Sequence, residues 1–384
     1  MTKTTIALVG CGFVADYYMA TLPNHPGLVL AGAWDRDPSR LAAFCQYHDL
    51  QPYNSLEELL NDSSVALVVN LTTPESHFEI SKAALMARKH LYSEKPLAMT
   101  FVEAKDLVDI AEHRHLSLCS APANGLSEAH QLVEAELSKA SIGTPRLVYA
   151  EMEDGPVFRE KWQTWKSQSG APWPGLHEFE VGCTLEHAGY GLSWLVSLFG
   201  PVKEVTAFSA LGFPGKGEGT QERQMAADFS VGCLVFQSGL VARLTSGLAA
   251  PRDRSLTILG DEGSITVRDL WDNRSIVHLE QTGAPRPFAQ KLLRRLEGHL
   301  KRALPFKLIP GRKLAYPNAA RKKSLPSYPS QIDFMAGVAA QARMIETGEP
   351  ARFSGALALH LTELALALHL GDRQSQPYRV KSSF

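Results

Sequence analysis

The run Thr5-Ile6-Ala7-Leu8-Val9, continuing into Gly10-Cys11-Gly12-Phe13-Val14-Ala15 and a helix-like stretch to Leu22, decides the fold class. A short apolar, β-branched segment is a strand, the glycines are a tight turn, and the residues after it have helical character. The same alternation continues downstream. Leu28 to Trp34 reads as a second strand that ends on Asp35, and Pro38 opens a helix at the position where a missing N–H costs nothing. Val65 to Leu71 is almost wholly apolar, as a parallel strand buried on both faces requires. Glu75 to Arg88, His90 to Ser93, Phe101 to His115 and Ser117 to Ala121 then alternate helix and strand. This spacing predicts a doubly wound parallel sheet of the Rossmann type over residues 1–122.

From Arg146 the period changes to strand-like alternation, at Arg146 to Glu151, Glu204 to Ala210, Ala226 to Gln237, Val241 to Gly247, Ser255 to Leu259 and Ser264 to Arg268, with short turns at Ser238-Gly239 and Asp261-Glu262-Gly263. Residues 123–384 therefore read as an α+β domain with a mostly antiparallel sheet. One face packs on helices, and the other is free for a homo-oligomer interface, dimeric or tetrameric.

The 384 residues, 45% hydrophobic and 21% charged, fit an ordinary two-domain globular chain, and a net charge of −1 gives no global reason to expect a nucleic-acid partner. No secretory pattern opens the sequence and no uninterrupted apolar stretch is long enough to span a bilayer, so a cytoplasmic protein is expected. The five cysteines, Cys11, Cys45, Cys119, Cys183 and Cys233, are scattered without a C-x-x-C pair. They read as reduced, mostly buried residues, and no metal site is expected.

The glycine turn has a mechanical reading. Gly10 permits the tight turn, Gly12 lets the backbone approach a pyrophosphate, and the small Ala15 lets helix and strand pack closely, with the phosphates on the helix N-terminus. Asp35, about twenty residues on, suits the adenosine ribose hydroxyls and repels a 2′-phosphate, which favours NAD. Arg36 beside it keeps NADP as the alternative.

Thr72-Thr73-Pro74-Glu75-Ser76-His77 follows the buried strand, and Glu94-Lys95-Pro96 lies one β/α unit later, at the end of what counts as the fifth strand. With the glycine turn, Leu185-Glu186-His187-Ala188-Gly189-Tyr190, the stretch Trp194 to Pro201 and the helix Ala356 to Leu370, the chain resembles the Gfo/Idh/MocA family of sugar and polyol oxidoreductases over nearly its whole length. The resemblance implies hydride transfer between nicotinamide and a hydroxyl or ketone of a sugar, polyol or nucleotide sugar. It implies dinucleotide contacts at Gly10, Gly12, Phe13, Val14, Ala15, Asp35, Arg36, Thr72, Thr73, Pro74, His77, Glu94, Lys95 and Pro96, and a cis Lys95-Pro96 peptide. Asn124, after the sixth strand, is a polar contact near the nicotinamide by position.

By the same resemblance Lys95 stands between nicotinamide and substrate, where an ammonium stabilises a developing alkoxide. Many relatives carry Asp-x-Gly-x-His at the second catalytic position. This chain departs from that pattern, with Glu186 for the aspartate and Tyr190 for the histidine. A neighbouring ammonium should lower the phenol's pKa from near 10 toward useful values. Residues four apart share a helix face, so Glu186 and Tyr190 point the same way and His187 lies at the margin as an alternative base. Arg159, Lys161, Trp162, Trp165, Lys166 and Trp173 cluster between Gly155 and Gly175. Arg159, Trp162, Trp165 and Trp173 are the candidate sugar contacts. Two further functions share the frame. One is a redox-neutral, NAD-dependent glycoside elimination with His187 or Glu186 as extra base, and the other is a non-catalytic dinucleotide-binding sugar sensor.

One segment stands apart. Thr282 to Lys323 holds twelve basic residues (Arg286, Lys291, Arg294, Arg295, Lys301, Arg302, Lys307, Arg312, Lys313, Arg321, Lys322, Lys323) against the single Glu297. Phe288, Leu292, Leu296, Leu300 and Ala303 recur within it at helical spacing. The expectation is an amphipathic basic helix that packs its leucines on the second domain or a partner subunit. Peripheral attachment to an anionic membrane is the alternative, and nucleic acid a weaker third.

Overall fold

A computed structural model describes residues 3–217, 219–220, 222–284, 288–301, 310–317, 323–327, 330–349 and 352–384. The alternating first third folds as strands β1 (Thr4–Val9), β2 (Leu28–Trp34), β3 (Leu67–Asn70), β4 (His90–Ser93) and β5 (Leu118–Ser120). Between them run helices α1 (Ala15–Thr21), α2 (Pro38–His48), α3 (Leu56–Asn61), α4 (Pro74–Met86) and α5 (Phe101–His113). All sheet pairings are parallel, in the order β2-β1-β3-β4-β5. Four-residue β3 is fully buried, as its unbroken apolar run requires. Local signals set the helix starts: the Asp37 side chain accepts from the Ser39 and Arg40 amides, and Ser55 and Thr100 cap α3 and α5.

Register brings the strand ends to one edge. Val9 pairs with Asn70, Asn70 with Ser93 and Ser93 with Ser120, so the residues that follow each strand meet there. The chain reverses direction across the sheet at β1, which makes this edge the ligand-binding side of such a fold. Gly10 is obligatory at that point. Its φ is +99°, and a Cβ would lie 2.7 Å from the Leu71 carbonyl group. Lys95 follows the fourth strand and Asn124 the fifth, one strand earlier in each case than the sequence count, because the parallel sheet has five strands.

The second sheet joins β6 (Pro145–Glu153), β7 (Val202–Ala210), β8 (Phe229–Phe236), β9 (Val241–Gly247), β10 (Leu256–Gly260), β11 (Gly263–Val267), β12 (Val277–Gln281), β13 (Arg312–Lys313) and β14 (Tyr378–Arg379). Its order is β13-β12-β11-β10-β6-β9-β8-β7-β14, antiparallel except for the parallel pair β6·β9. The strands β12, β13 and β14 were not apparent from alternation; the last two are two residues long, below any periodic signal. Helices α6 (Glu128–Ser138), α7 (Gly175–Val181) and α8 (Cys183–Phe199) precede β7, and α9 (Phe288–Leu300) lies between β12 and β13. Then α10 (Met335–Thr347) and α11 (Gly355–Leu370) return to the first domain.

Helix α8 is hydrophobic almost all round and is buried from Cys183 to Val196 with the exception of Tyr190, sandwiched between the sheet and α11. Gln341 of α10 donates to the carbonyls of Leu91 and Ser117, and the Leu97 amide donates to Thr362 of α11. The polar interruptions of α11 are internally satisfied. His360 accepts from the Val202 amide, and Glu363 accepts from Tyr378 and from the amides of Lys381 and Ser382. No helix among the described residues is long and apolar enough to cross a membrane. The cysteines are unpaired, four buried and Cys233 exposed.

On α9 the expectation of leucines packed on the second domain fails: Leu292, Leu296 and Leu300 are exposed. Arg286, Arg302, Ala303, Lys307, Arg321 and Lys322 lie outside the described residues.

Candidate active site

The strand ends, the N-terminus of α8 and the segment after β6 enclose a cleft of about 910 Å³, within the range of small-molecule and cofactor sites. Gly10, Gly12, Phe13, Val14, Asp35, Arg36, Thr72, Thr73, Pro74 and His77 line it, with the Thr72 amide against Gly10. A Cβ built at Gly12 meets nothing within 4 Å, so backbone faces open space here, as a pyrophosphate cradle needs. Ala15 is fully buried behind the turn and lets α1 approach the sheet. Asp35 is fixed by two backbone donors, the amides of Cys11 and Asp37, each 2.8 Å from a carboxylate oxygen. Each such charge-assisted bond contributes about 1.5–3 kcal/mol. Arg40 also reaches Asp35, at 3.4 Å, and lines the cleft. These residues could hold a dinucleotide, with the Asp35 carboxylate, Arg36 and Arg40 at one end of the cleft.

Lys95 stands in the middle of the cleft. The Lys95-Pro96 peptide is cis, as the resemblance implied. Nζ donates to the Glu186 carboxylate at 2.6 Å and to the Glu186 carbonyl at 2.8 Å. The Lys95 amide donates to Glu94, whose other oxygen accepts from Tyr18. Burial alone would depress the ammonium, but the Glu186 carboxylate, then Tyr190 and Glu94, outweigh it and hold Lys95 above the ordinary lysine value. For Glu186 burial pushes up and Lys95 overrides it, leaving the carboxyl below its ordinary value. The pair is a charged one. His77 is buried between the carbonyls of Pro96 and Thr72, so it ties the two strand-end loops together.

Glu186, His187 and Tyr190 all reach the cleft from α8. Tyr190 lies with its ring 5.7 Å from Lys95 Nζ and packs on Trp271. The expected lowering of its pKa does not occur. Burial pushes the phenol well above its ordinary value, and an ammonium already paired with Glu186 offsets this only in part. Tyr190 is therefore a neutral phenol. His187 is buried and its pKa is lowered, chiefly by desolvation with Asp154 opposing; its Nδ1 has no hydrogen-bond partner among the described residues.

The expected sugar contacts divide. Trp165 and Trp173 line the cleft, with Lys166. Trp162 is buried instead, edge-on to Phe179 and packed over Gly175, where a Cβ would lie 2.5 Å from its ring. Arg159 is drawn out of the cleft by the rings of Phe158 and Phe213, which it covers at 5.6 and 5.5 Å. Asn124 is also not on the cleft wall. Its amide donates to the carbonyls of Tyr190 and Leu270, and its oxygen accepts from Ser193, so its polar capacity serves the fold.

Several cleft residues were not anticipated: Arg40, Asp154, His177, Glu178 and Trp271. Arg40 lies in the first turn of α2, close behind Asp35 and Arg36. The others carry no local signal, since distant segments deliver them. Burial and the Glu186 charge push Glu178 well above the carboxylate range, with Lys95 opposing. Two contacts fasten the segment after β6 and α7 to the first domain. Asp16 accepts from the Ser169 hydroxyl at 2.7 Å and from His48 at 2.6 Å, and His177 donates to Glu75 at 2.8 Å.

Comparison with known proteins agrees with this architecture. An oxidoreductase family model with an NAD-binding Rossmann fold matches residues 4–121, and the GFO/IDH/MocA C-terminal domain matches residues 130–266. An uncharacterized oxidoreductase from Synechocystis sp. is 24% identical over 281 residues, 70% of this chain and 73% of its own. The aldose-aldose oxidoreductase from Caulobacter crescentus aligns with a TM-score of 0.73 at 15% identity, over 98% of this chain and 100% of that one. The WlbA dehydrogenase from Bordetella pertussis, solved with NADH and UDP-GlcNAcA, aligns at 0.71 and 19% identity over 99% of each chain. These likenesses show a shared fold across both domains. With the glycine turn, the strand-end lysine and both matched domains in one sequence, the chain belongs to the Gfo/Idh/MocA oxidoreductase family.

Proposed function

We propose that the protein is an NAD-dependent oxidoreductase that interconverts a hydroxyl and a ketone on a sugar, polyol or nucleotide sugar. The observation that carries this is the buried Lys95–Glu186 pair, set in the same cleft as the glycine turn and Tyr190. Bound NAD would supply or accept the hydride. Of the three Lys95 N–H groups two are committed to Glu186, which leaves one for a substrate oxygen. That contact stabilises negative charge developing on the oxygen, in a site that needs no reorganisation. In reduction neutral Tyr190 gives the oxygen its phenol proton as hydride reaches the carbon, and the phenolate left beside Lys95 is reprotonated by water; oxidation is the reverse and starts from the phenolate. Trp165, Trp173 and Trp271 supply aromatic faces for the apolar side of a sugar ring. The Asp35 carboxylate, held against the turn, favours NAD over its 2′-phosphorylated form.

The unpartnered His187 Nδ1 supports a second reading, in which it removes a C–H proton next to an oxidised carbon so that a glycosidic group leaves. The test is a screen of free and nucleotide-linked sugars for change at the NADH absorbance band, run on wild type and Lys95→Ala. We expect turnover with net NADH change in the wild type and its near-complete loss in the variant, with dinucleotide binding retained. Sugar conversion without net NADH change would favour the second reading. Unchanged kcat in Lys95→Ala would refute both.

A further inference from the structure

Helix α9 has a surface that the cleft does not explain. Leu292, Leu296 and Leu300, spaced four apart, form one stripe and are 47%, 43% and 48% exposed. Lys291 and Arg295, also exposed, each precede a leucine of that stripe, and Lys301 follows the last. The surrounding stretch from Thr282 to Lys323 carries twelve Lys/Arg against one acidic residue, in a chain whose net charge is only −1. An apolar stripe left in water beside concentrated positive charge calls for an occupant that takes both.

We propose that α9 lies on an anionic lipid surface, with its leucines at the headgroup–acyl boundary and Lys291 and Arg295 on the lipid phosphates. A second copy packing α9 against α9 would cover the leucines, but it would set like charges against each other. A nucleic acid would neutralise the charges and leave the leucines in water. An anionic bilayer satisfies both features. The helix lies on the surface, since its 13 residues extend about 20 Å, short of the roughly 30 Å hydrocarbon core. It joins β12 to β13 at the edge of the second sheet and supplies no residue to the cleft wall, so attachment leaves the site open.

Flotation of the full chain with phosphatidylglycerol–phosphatidylcholine vesicles, and with phosphatidylcholine vesicles alone, tests this. We expect flotation with the anionic vesicles only, reversed by high salt. Lys291→Gln with Arg295→Gln should weaken partitioning about 25-fold, at about fivefold per basic side chain. Leu292→Gln with Leu296→Gln should weaken it at least tenfold, with circular dichroism and dinucleotide binding unchanged because these side chains are exposed. No flotation on anionic vesicles at low salt would overturn the proposal, as would equal flotation on both vesicle types. Anionic binding that the leucine variant leaves intact would reduce the contact to simple adsorption and also overturn it. Self-association in sedimentation, abolished by the leucine variant and without vesicle binding, would assign the stripe to a second copy instead.

Discussion

Glu186→Gln removes one negative charge from the centre of the cleft and little else. The amide has the same shape, its oxygen still accepts from Lys95, and the Glu186 carbonyl at 2.8 Å is unaffected. At the 2.6 Å separation of the pair, two unit charges at an effective dielectric of 20 attract by roughly 6 kcal/mol before desolvation is counted. The side chains are 14% and 11% exposed, so the cost of breaking the pair is that of a buried one, about 3–5 kcal/mol. The retained hydrogen bonds place it near 3. Expressed through Lys95, this is about a hundredfold loss of proton affinity. The sign follows from the direction of the wild-type shift. Lys95 is held above its ordinary value, so its contribution to stability is complete below that value and is lost only as pH rises through the raised folded pKa. In the variant, burial is no longer opposed by the nearest anion, so Lys95 holds its proton about a hundredfold less tightly than in the wild type. Loss of Glu186 also relieves the repulsion that keeps Glu178 protonated, so Glu186→Gln/Glu178→Gln is measured alongside. The assay is kcat/KM against pH with saturating dinucleotide. The alkaline loss attributable to Lys95 should begin at lower pH in both variants than in wild type, with dinucleotide affinity intact. Variants with the wild-type alkaline limb and wild-type rates would refute the role of the pair.

Three further outcomes are expected. Tyr190→Phe should lower kcat about 10²-fold with dinucleotide binding unchanged, while His187→Ala is mild; the reverse order, measured by steady-state kinetics, would make His187 the proton-transfer group. Asp35→Asn keeps an acceptor for the Cys11 amide but loses the charge, and should raise NADP affinity relative to NAD about tenfold in fluorescence titrations. Glu153 is pushed up to about 7, by burial first and then by Glu151, and one of its oxygens is unpartnered. The folded state therefore binds this proton more tightly than the unfolded chain and loses stability as pH rises toward and through 7. Glu153→Gln should then be more stable than wild type by about 1–2 kcal/mol at pH 8, with no gain at pH 5, in thermal melts.

The parallel sheet was legible because its signals are local. β1 and the glycine turn lie within a dozen residues, the fully buried β3 is a continuous apolar run, and Pro38 and Pro74 stand at the first positions of α2 and α4. Most strands of the second sheet were legible from alternation; five-residue β12 was missed although it alternates, and two-residue β13 and β14 are too short to carry the signal.

Within the site, residue type and spacing identified the groups that line the cleft more readily than the state of those groups. Lys95 and Tyr190 are adjacent, as their chemistry suggested, but the proximity that should have acidified the phenol is spent on Glu186, and burial prevails. The same distinction separates Asn124, Trp162 and Arg159 from Trp165 and Trp173. All five have side chains suited to a sugar or a nicotinamide, and three are consumed by internal partners: two backbone carbonyls and Ser193, the ring of Phe179, and the rings of Phe158 and Phe213. A polar or aromatic side chain serves a ligand only if folding leaves it uncommitted, and that depends on segments more than forty residues distant, such as those that bring Ser193, Phe213 and Leu270 into contact. The pairing of Lys95 with Glu186 is the informative exception. It spans 91 residues, yet it leaves one ammonium hydrogen free, and the reactivity proposed for this cleft rests on that remainder.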